Sequence, residues 1–439
     1  MIAFKARCLI FLFFLLVEPQ IVSPLSHLPS PHKGTGGMHQ RLRLLTEPRG
    51  NPNVTALAEV LTTKCYDFRK PCGIGIFLEA GDDHRSKRKA LAPAFSLRHI
   101  KNLYKVFWDK SHELVNAMTD QLSCKEKEQQ NTRLACDESP PSTGVLDIAE
   151  WANRATLDMI GIAGMGRDLG QSTTRTRTCA IFLAILRLLL SNWLVNRLPL
   201  RRNKEIERAV RTIRGVCAEL IHQKPKYLSE NSNLEHRDIL SVALQNGGFS
   251  EEGLIDQLVT FLAAGHETTA TAFTWAIYLL CQSPDDHKSS FTYQSIDSMT
   301  YLHAAPPVPF TIREAVADTV ILNQPTPKDT KIMVVSRATN RDAHLWGPDA
   351  QDFKPKRWLK PDARSNYATV IFIHGPRSRI GQSSAKAEFA ILLAALVGRS
   401  EFQLEVDRLL DERRMKVTRT VTARPVNGLL VKATPLVGW

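Results

Sequence analysis

Apolar positions return every three to four residues over 250–281, a stretch of roughly 30 residues that would run about 45 Å as a helix. Ser250 stands where a cap belongs, Glu251 and Glu252 occupy the first turn, and Pro284 follows the end. A helix that long and that apolar has to cross the centre of a domain. The same rhythm predicts helices over 56–63, 100–122, 145–163, 201–228 and 385–396. A basic helical segment begins at His84 and leads to Phe95, and 181–198 is strongly apolar. Strand-like runs come late, at 319–322, 330–336, 402–406, 415–422 and 429–434. Residues 123–144 and 164–178 read as polar, irregular connections. The fold class that follows is mainly α with a small β region.

The N-terminus departs from this pattern. Residues 8–17 are uniformly apolar and follow Lys5 and Arg7, which makes 1–22 an anchor or a signal segment, short of the roughly 20 apolar residues of a spanning helix. Residues 23–50, with Pro24, Pro29 and Pro31 near their start, form a stiff hinge, and 51–439 form the remaining domain. Lys5 and Arg7 precede the apolar run while the next basic residues are Lys33 and Arg41, which favours a cytosolic N-terminus.

Composition narrows the classes. The 57 Lys and Arg against 44 Asp and Glu give +13, but the basic residues are scattered and no nucleic-acid-binding motif holds them together. Nucleic acid is therefore not an expected partner. The eight cysteines show no CxxC pair and no His/Cys metal spacing, so they read as reduced thiols and no metal site is expected from them.

Three local patterns carry chemistry. Phe372, Gly375, Arg377, Arg379 and Gly381 punctuate a loop that opens into the helix at 385–396. Inside the long helix stands Ala264-Gly265-His266-Glu267-Thr268-Thr269, where Gly265 weakens a helix interior by about 1 kcal/mol relative to Ala. Upstream, His84 and Arg88 are four apart and share one helix face. Together, in this order, they resemble the cytochrome P450 superfamily, most closely its fungal-type branch, over nearly the whole chain from about Ser23.

The resemblance implies a haem cofactor held by the loop around Phe372, Gly375, Arg377 and position 379, with His84 and Arg88 on its propionates. It implies that Gly265 opens a groove over the iron and that Glu267 and Thr268 relay protons as the catalytic pair. It further implies a lipophilic small-molecule substrate, an NADPH-dependent reductase as electron donor, and the cytosolic face of the endoplasmic reticulum membrane as location, a topology opposite to the one that Lys5 and Arg7 favour, so the orientation stays open.

The chain departs from that family in two places. Four of the five fixed loop elements match, and the missing one is the cysteine whose thiolate ligates iron; Arg379 stands there, a permanent cation with no lone pair for a metal. The family's Glu-x-x-Arg is also absent between Ala304 and Pro306, with about two helical turns of chain. Arg357, preceded by Lys356 where the family usually has an acid, is thus expected to have lost its partners and to turn toward solvent or loosen the core. Spans also look shortened before Ala56 and after Gly170. The expectation is a degenerate member, ancestrally a monooxygenase of a lipophilic compound, such as a secondary metabolite, and inactive as written. Two alternatives stand beside it: an active haem monooxygenase with an erroneous sequence or gene model, and a non-catalytic membrane-associated binding protein.

Overall fold

A computed structural model of the chain describes residues 76, 81–130, 143–170, 201–230, 238–283, 298–315, 317–321, 324–354, 357–358, 369–375, 378–418 and 422–436. The expected anchor, hinge and helix at 56–63, the apolar stretch at 181–198, and Pro284, Lys356 and Arg377 lie outside those residues. No helix among the described residues is long and apolar enough to cross a membrane.

Helix α1, Gly81–Leu91, has Asp82 and Asp83 in its first turn and Arg88 and Lys89 in its last, an order that complements its dipole. A 3₁₀ turn, Ala92–Phe95, leads into α2, Leu97–Gln130. This helix runs through residues 123–130, which polarity alone marked as a loop. Lys125, Glu126, Lys127 and Glu128 are polar but strong helix formers, and propensity decided.

The helix expected at 145–163 is divided. Gly144–Asp147 form strand β1, and Asp147 then caps α3, Ile148–Met165, by accepting from the Ala149 amide at 3.0 Å. Its end is set by Gly166 at φ +70°. Helix α4, Arg201–Glu230, follows, then α5, Ile239–Asn246, which starts on Asp238. Helix α6 is Glu251–Gln282, and the Ser250 hydroxyl accepts from the Gly253 amide at 3.1 Å as its cap. Its 32 residues make it about 48 Å long.

After α7, Ser298–Ala304, come strands β2, Thr311–Glu314, β3, Thr319–Ile321, β4, Gln324–Thr326, and β5, Lys331–Val334. The two expected strands do not pair with each other: β5 pairs antiparallel with β2, and β3 with β4. Short helices α8, Ser336–Thr339, and α9, Ala343–Trp346, precede α10, Gln382–Arg399. Strands β6, Ser400–Leu404, and β7, Leu430–Pro435, complete an antiparallel sheet of order β1-β7-β6, with Val145 opposite Lys432 and Phe402 opposite Ala433. Of the strand expected at 415–422, the described residues show one bridge, between Val417 and Pro425.

Two apolar cores share α6. Its first half, with Leu254 and Leu258, packs with Leu91, Met165, Cys217 and Leu240. Its second half, with Phe273, Trp275 and Tyr278, packs with Phe107, Trp151, Phe389, Leu392 and Val431. Residues 261–268 between them are less covered, and Ala263 and Ala264 are exposed.

The expectation for Arg357 is corrected. Its side chain is only 7% exposed, and it donates to the Trp346 carbonyl at 3.1 Å, to Asp349 Oδ1 at 3.2 Å and to the Asp349 carbonyl at 2.7 Å. Asp349, eight residues upstream, takes the place of the missing acid. The C-terminal end of α7 is closed in a similar way: Asn340 donates to the His303 carbonyl at 3.0 Å and Arg341 to that of Ala304 at 3.1 Å. Glu412 bridges the two arginines there, at 2.8 Å from Arg337 and 3.3 Å from Arg341. A cavity of about 160 Å³ remains beside them, lined by Leu279, Gln282, Arg341 and Glu412 among others. Burial, and then the charge of Arg341, pull Arg337 down to about 10 while Glu412 pulls the other way. Glu412→Gln is expected to lower stability by about 3 kcal/mol, because it leaves two poorly solvated guanidiniums facing each other. A urea melt with unchanged slope and a lower midpoint measures that loss.

Candidate functional site

The glycine-punctuated loop enters α10 by way of Gly375 at φ +77° and, less comfortably, Ile373 at φ +60°. A β-branched residue in the left-handed region is a real outlier and is strained by about 1–3 kcal/mol. The turn is tied by the Arg379 amide to the Phe372 carbonyl at 3.0 Å and by the Ser378 amide to the Gly375 carbonyl at 2.9 Å. Phe372 is half-buried and lies 5.8 Å beneath the Lys386 ammonium. His374 Nε2 lies 2.7 Å from the Thr369 carbonyl.

Helix α1 meets this loop directly. Arg88 donates to Ser378 Oγ at 3.2 Å, while His84, one turn earlier on the same face, is buried. Burial without a compensating carboxylate draws both Arg88 and Arg379 below the usual guanidinium range. The Arg379 Nε is buried with no hydrogen-bond partner. Arg379 therefore stands as a desolvated cation at the head of α10, and among the described residues no carboxylate pairs with it or with Arg88.

The loop also touches the turn after α1. A Cβ built on Gly381 would lie 3.6 Å from the Phe95 ring, and Phe95 in turn packs at 5.9 Å from Phe261 of α6. Ile380, Phe95, Phe261 and Leu262 thus form a continuous apolar wall from the loop to the open middle of α6.

On α6 the motif residues take separate partners. A Cβ on Gly265 would come within 2.8 Å of Ile160, so this glycine lets α3 approach closely. Glu267 accepts from Thr422 Oγ1 at 2.7 Å and lies 3.8 Å from Arg424 Nη1, both on the C-terminal segment. Thr268 returns its hydroxyl to the Ala264 carbonyl at 2.8 Å, within its own helix.

Glu388 on α10 was not singled out by sequence. It is 5% exposed, one carboxylate oxygen has no partner, and burial pushes it up to about 8. A lone acid inside an apolar helical run is the signal that could have marked it. It does not neutralise Arg379: burial alone sets both groups.

The cytochrome P450 family model matches residues 59–430. A cytochrome P450 monooxygenase of Gibberella moniliformis, FUM15, is 39% identical over 97% of this chain and 91% of its own length. ALT8 of Alternaria alternata is 36% identical over 97% and 92%, and sphH of Aspergillus fumigatus 34% over 98% and 91%, both likewise named cytochrome P450 monooxygenases. The first alignment runs over 551 positions although the chain has 439 residues, so more than a hundred of them have no residue here.

Two outcomes follow. Gly265→Leu is expected to destabilise the fold by about 1–3 kcal/mol through overpacking, and Ile160→Ala in the same chain to recover part of that, as a double-mutant cycle of melting free energies measures. Glu388 is neutral in the folded chain at pH 7 and ionised once unfolded, so the folded state holds the extra proton. Stability is full below its ordinary value of 4.5 and falls as pH rises until it passes about 8, by at most about 1.4 kcal/mol per pH unit. Glu388→Gln flattens that decline in urea melts taken from pH 5 to 8.5.

Proposed function

Because this chain belongs to the cytochrome P450 family, we propose that it is a member without the sulfur-ligated haem chemistry that supports monooxygenation. The observation that carries this reading is Arg379. The loop that would offer a thiolate offers instead a half-buried guanidinium with a buried, unpartnered Nε, which repels a metal ion and has no lone pair to give it.

Neither cysteine among the described residues offers sulfur to the loop. Cys217 on α4 and Cys281 at the end of α6 lie in the two apolar cores, and burial pushes their thiols up to about 11 and about 12. The remaining cysteines all stand at or before position 179, and none follows 281. The described residues of this loop therefore do not fit a haem iron that needs sulfur.

The ancestral activity in this reading is insertion of one oxygen atom into a lipophilic small molecule, such as a secondary metabolite, with electrons from an NADPH-dependent reductase. The fungal relatives at more than 30% identity support the class of reaction, and the apolar run at 8–17 supports a place on the endoplasmic reticulum membrane. The gaps in the alignment and the re-partnered Arg357 and Arg341 support a scaffold that outlived that chemistry. In a reduced carbon monoxide difference spectrum, purified chain mixed with haem is expected to give no thiolate Soret band. A normal band would overturn the proposal.

A further inference from the structure

The guanidiniums of Arg337 and Arg341 share the carboxylate of Glu412, at 2.8 Å and 3.3 Å, and the buried Nη1 of Arg337 has no acceptor. Arg341 spends Nη2 on Glu412 and on the Ala304 carbonyl, which leaves its Nη1 and Nε without an acceptor among the described residues. One further negative group would balance the pair, and the open edge of Arg341 is shaped to receive a carboxylate.

Arg341 also lines the cavity of about 160 Å³ between the ends of α6 and α7. The other polar parts of its wall offer acceptors. Gln282 commits its amide nitrogen to Tyr278 Oη and the Leu410 carbonyl, and Gln351 commits its own to the Arg341 carbonyl, so both side-chain oxygens accept nothing from the described residues. Asp352 reaches Lys354 only at 3.7 Å, while Lys354 stands 2.9 Å from Asp349. The rest of the wall is apolar: Leu279 and Ala350 are buried and Phe353 is half-buried, whereas Gln351 and Asp352 are exposed. The apolar part therefore lies deep, and the acid stands at the mouth.

A cavity of about 150 Å³ accepts a molecule the size of benzene, so a compact ligand fits this one. An anion alone would face Asp352, and a cation alone would face Arg341. A ligand with both signs on neighbouring atoms satisfies both.

We propose that this cavity is a binding site for a small aliphatic α-amino acid, with its carboxylate on the open edge of Arg341, its ammonium toward Asp352 and its side chain against Leu279, Ala350 and Phe353. The site is separate from the loop before α10 and does not depend on whether that loop ligates iron.

Calorimetric titration of the full chain at pH 7.5 tests it with leucine, with 4-methylpentanoate, which lacks the ammonium, and with 3-methylbutylamine, which lacks the carboxylate. Leucine is expected to bind saturably. It should bind about tenfold more tightly than the amine, because its carboxylate meets a partly buried guanidinium, and about fivefold more tightly than the acid, because Asp352 is exposed. Asp352→Asn should bring leucine down to the affinity of 4-methylpentanoate without weakening 4-methylpentanoate itself, and Arg341→Gln should bring leucine down to that of the amine. If Arg341→Gln, which also loses a tie to the end of α7, does not fold, Asp352→Asn at its exposed position carries the readout. Either analogue matching leucine, full leucine affinity in Asp352→Asn, or no saturable heat with leucine overturns the site.

Discussion

Helix α6 belongs to two apolar cores at once, and this shared membership governs the arrangement of everything around it. Its N-terminal half is locked by α4, α5 and the turn after α1, and its C-terminal half by α2, α3 and α10. Each half is covered almost completely, so the helix cannot slide or rotate without exposing large side chains such as Trp275 and Tyr278. Between those anchors lie small residues, and their exposure leaves an opening that the rest of the fold is obliged to keep. The loop before α10 and the end of α1 come to that opening because each is fixed to one of the two cores.

Charge follows a different logic around α7 and at the loop before α10. Around α7 the described arginines pair with acids: Arg357 with Asp349, Arg337 and Arg341 with Glu412, while the carbonyls of His303 and Ala304 accept from Asn340 and Arg341. At the loop the cation and the nearest buried acid of α10 remain separate, and each titrates according to its own burial. Beside α7 a neighbouring turn supplies the acid. At the loop, no described carboxylate pairs with Arg379.

Much of the architecture was legible because its signals are local. The cap at Ser250, the length of α6 and the apolar run of α10 follow from residues within a turn of one another. What was missed depended on distance or on competing local rules. Asp349 pairs with Arg357 from eight residues away, a spacing that no helix or strand period marks. Ile160 reaches Gly265 across more than a hundred residues, and Thr422 reaches Glu267 across 155, so neither contact leaves a trace in periodicity. Residues 145–147 look helical until Asp147 is recognised as a cap, after which they become the strand that precedes it.

The backbone at Ile373 carries a further consequence. Its left-handed conformation is tolerated only while the ties from Arg379 to Phe372 and from Ser378 to Gly375 hold the turn closed. Opening this segment releases strain instead of storing it, so local excursions start here at lower free energy than elsewhere along α10. Amide exchange and nicking by proteases should concentrate on this turn, and whatever ligand grips both sides of it would slow them.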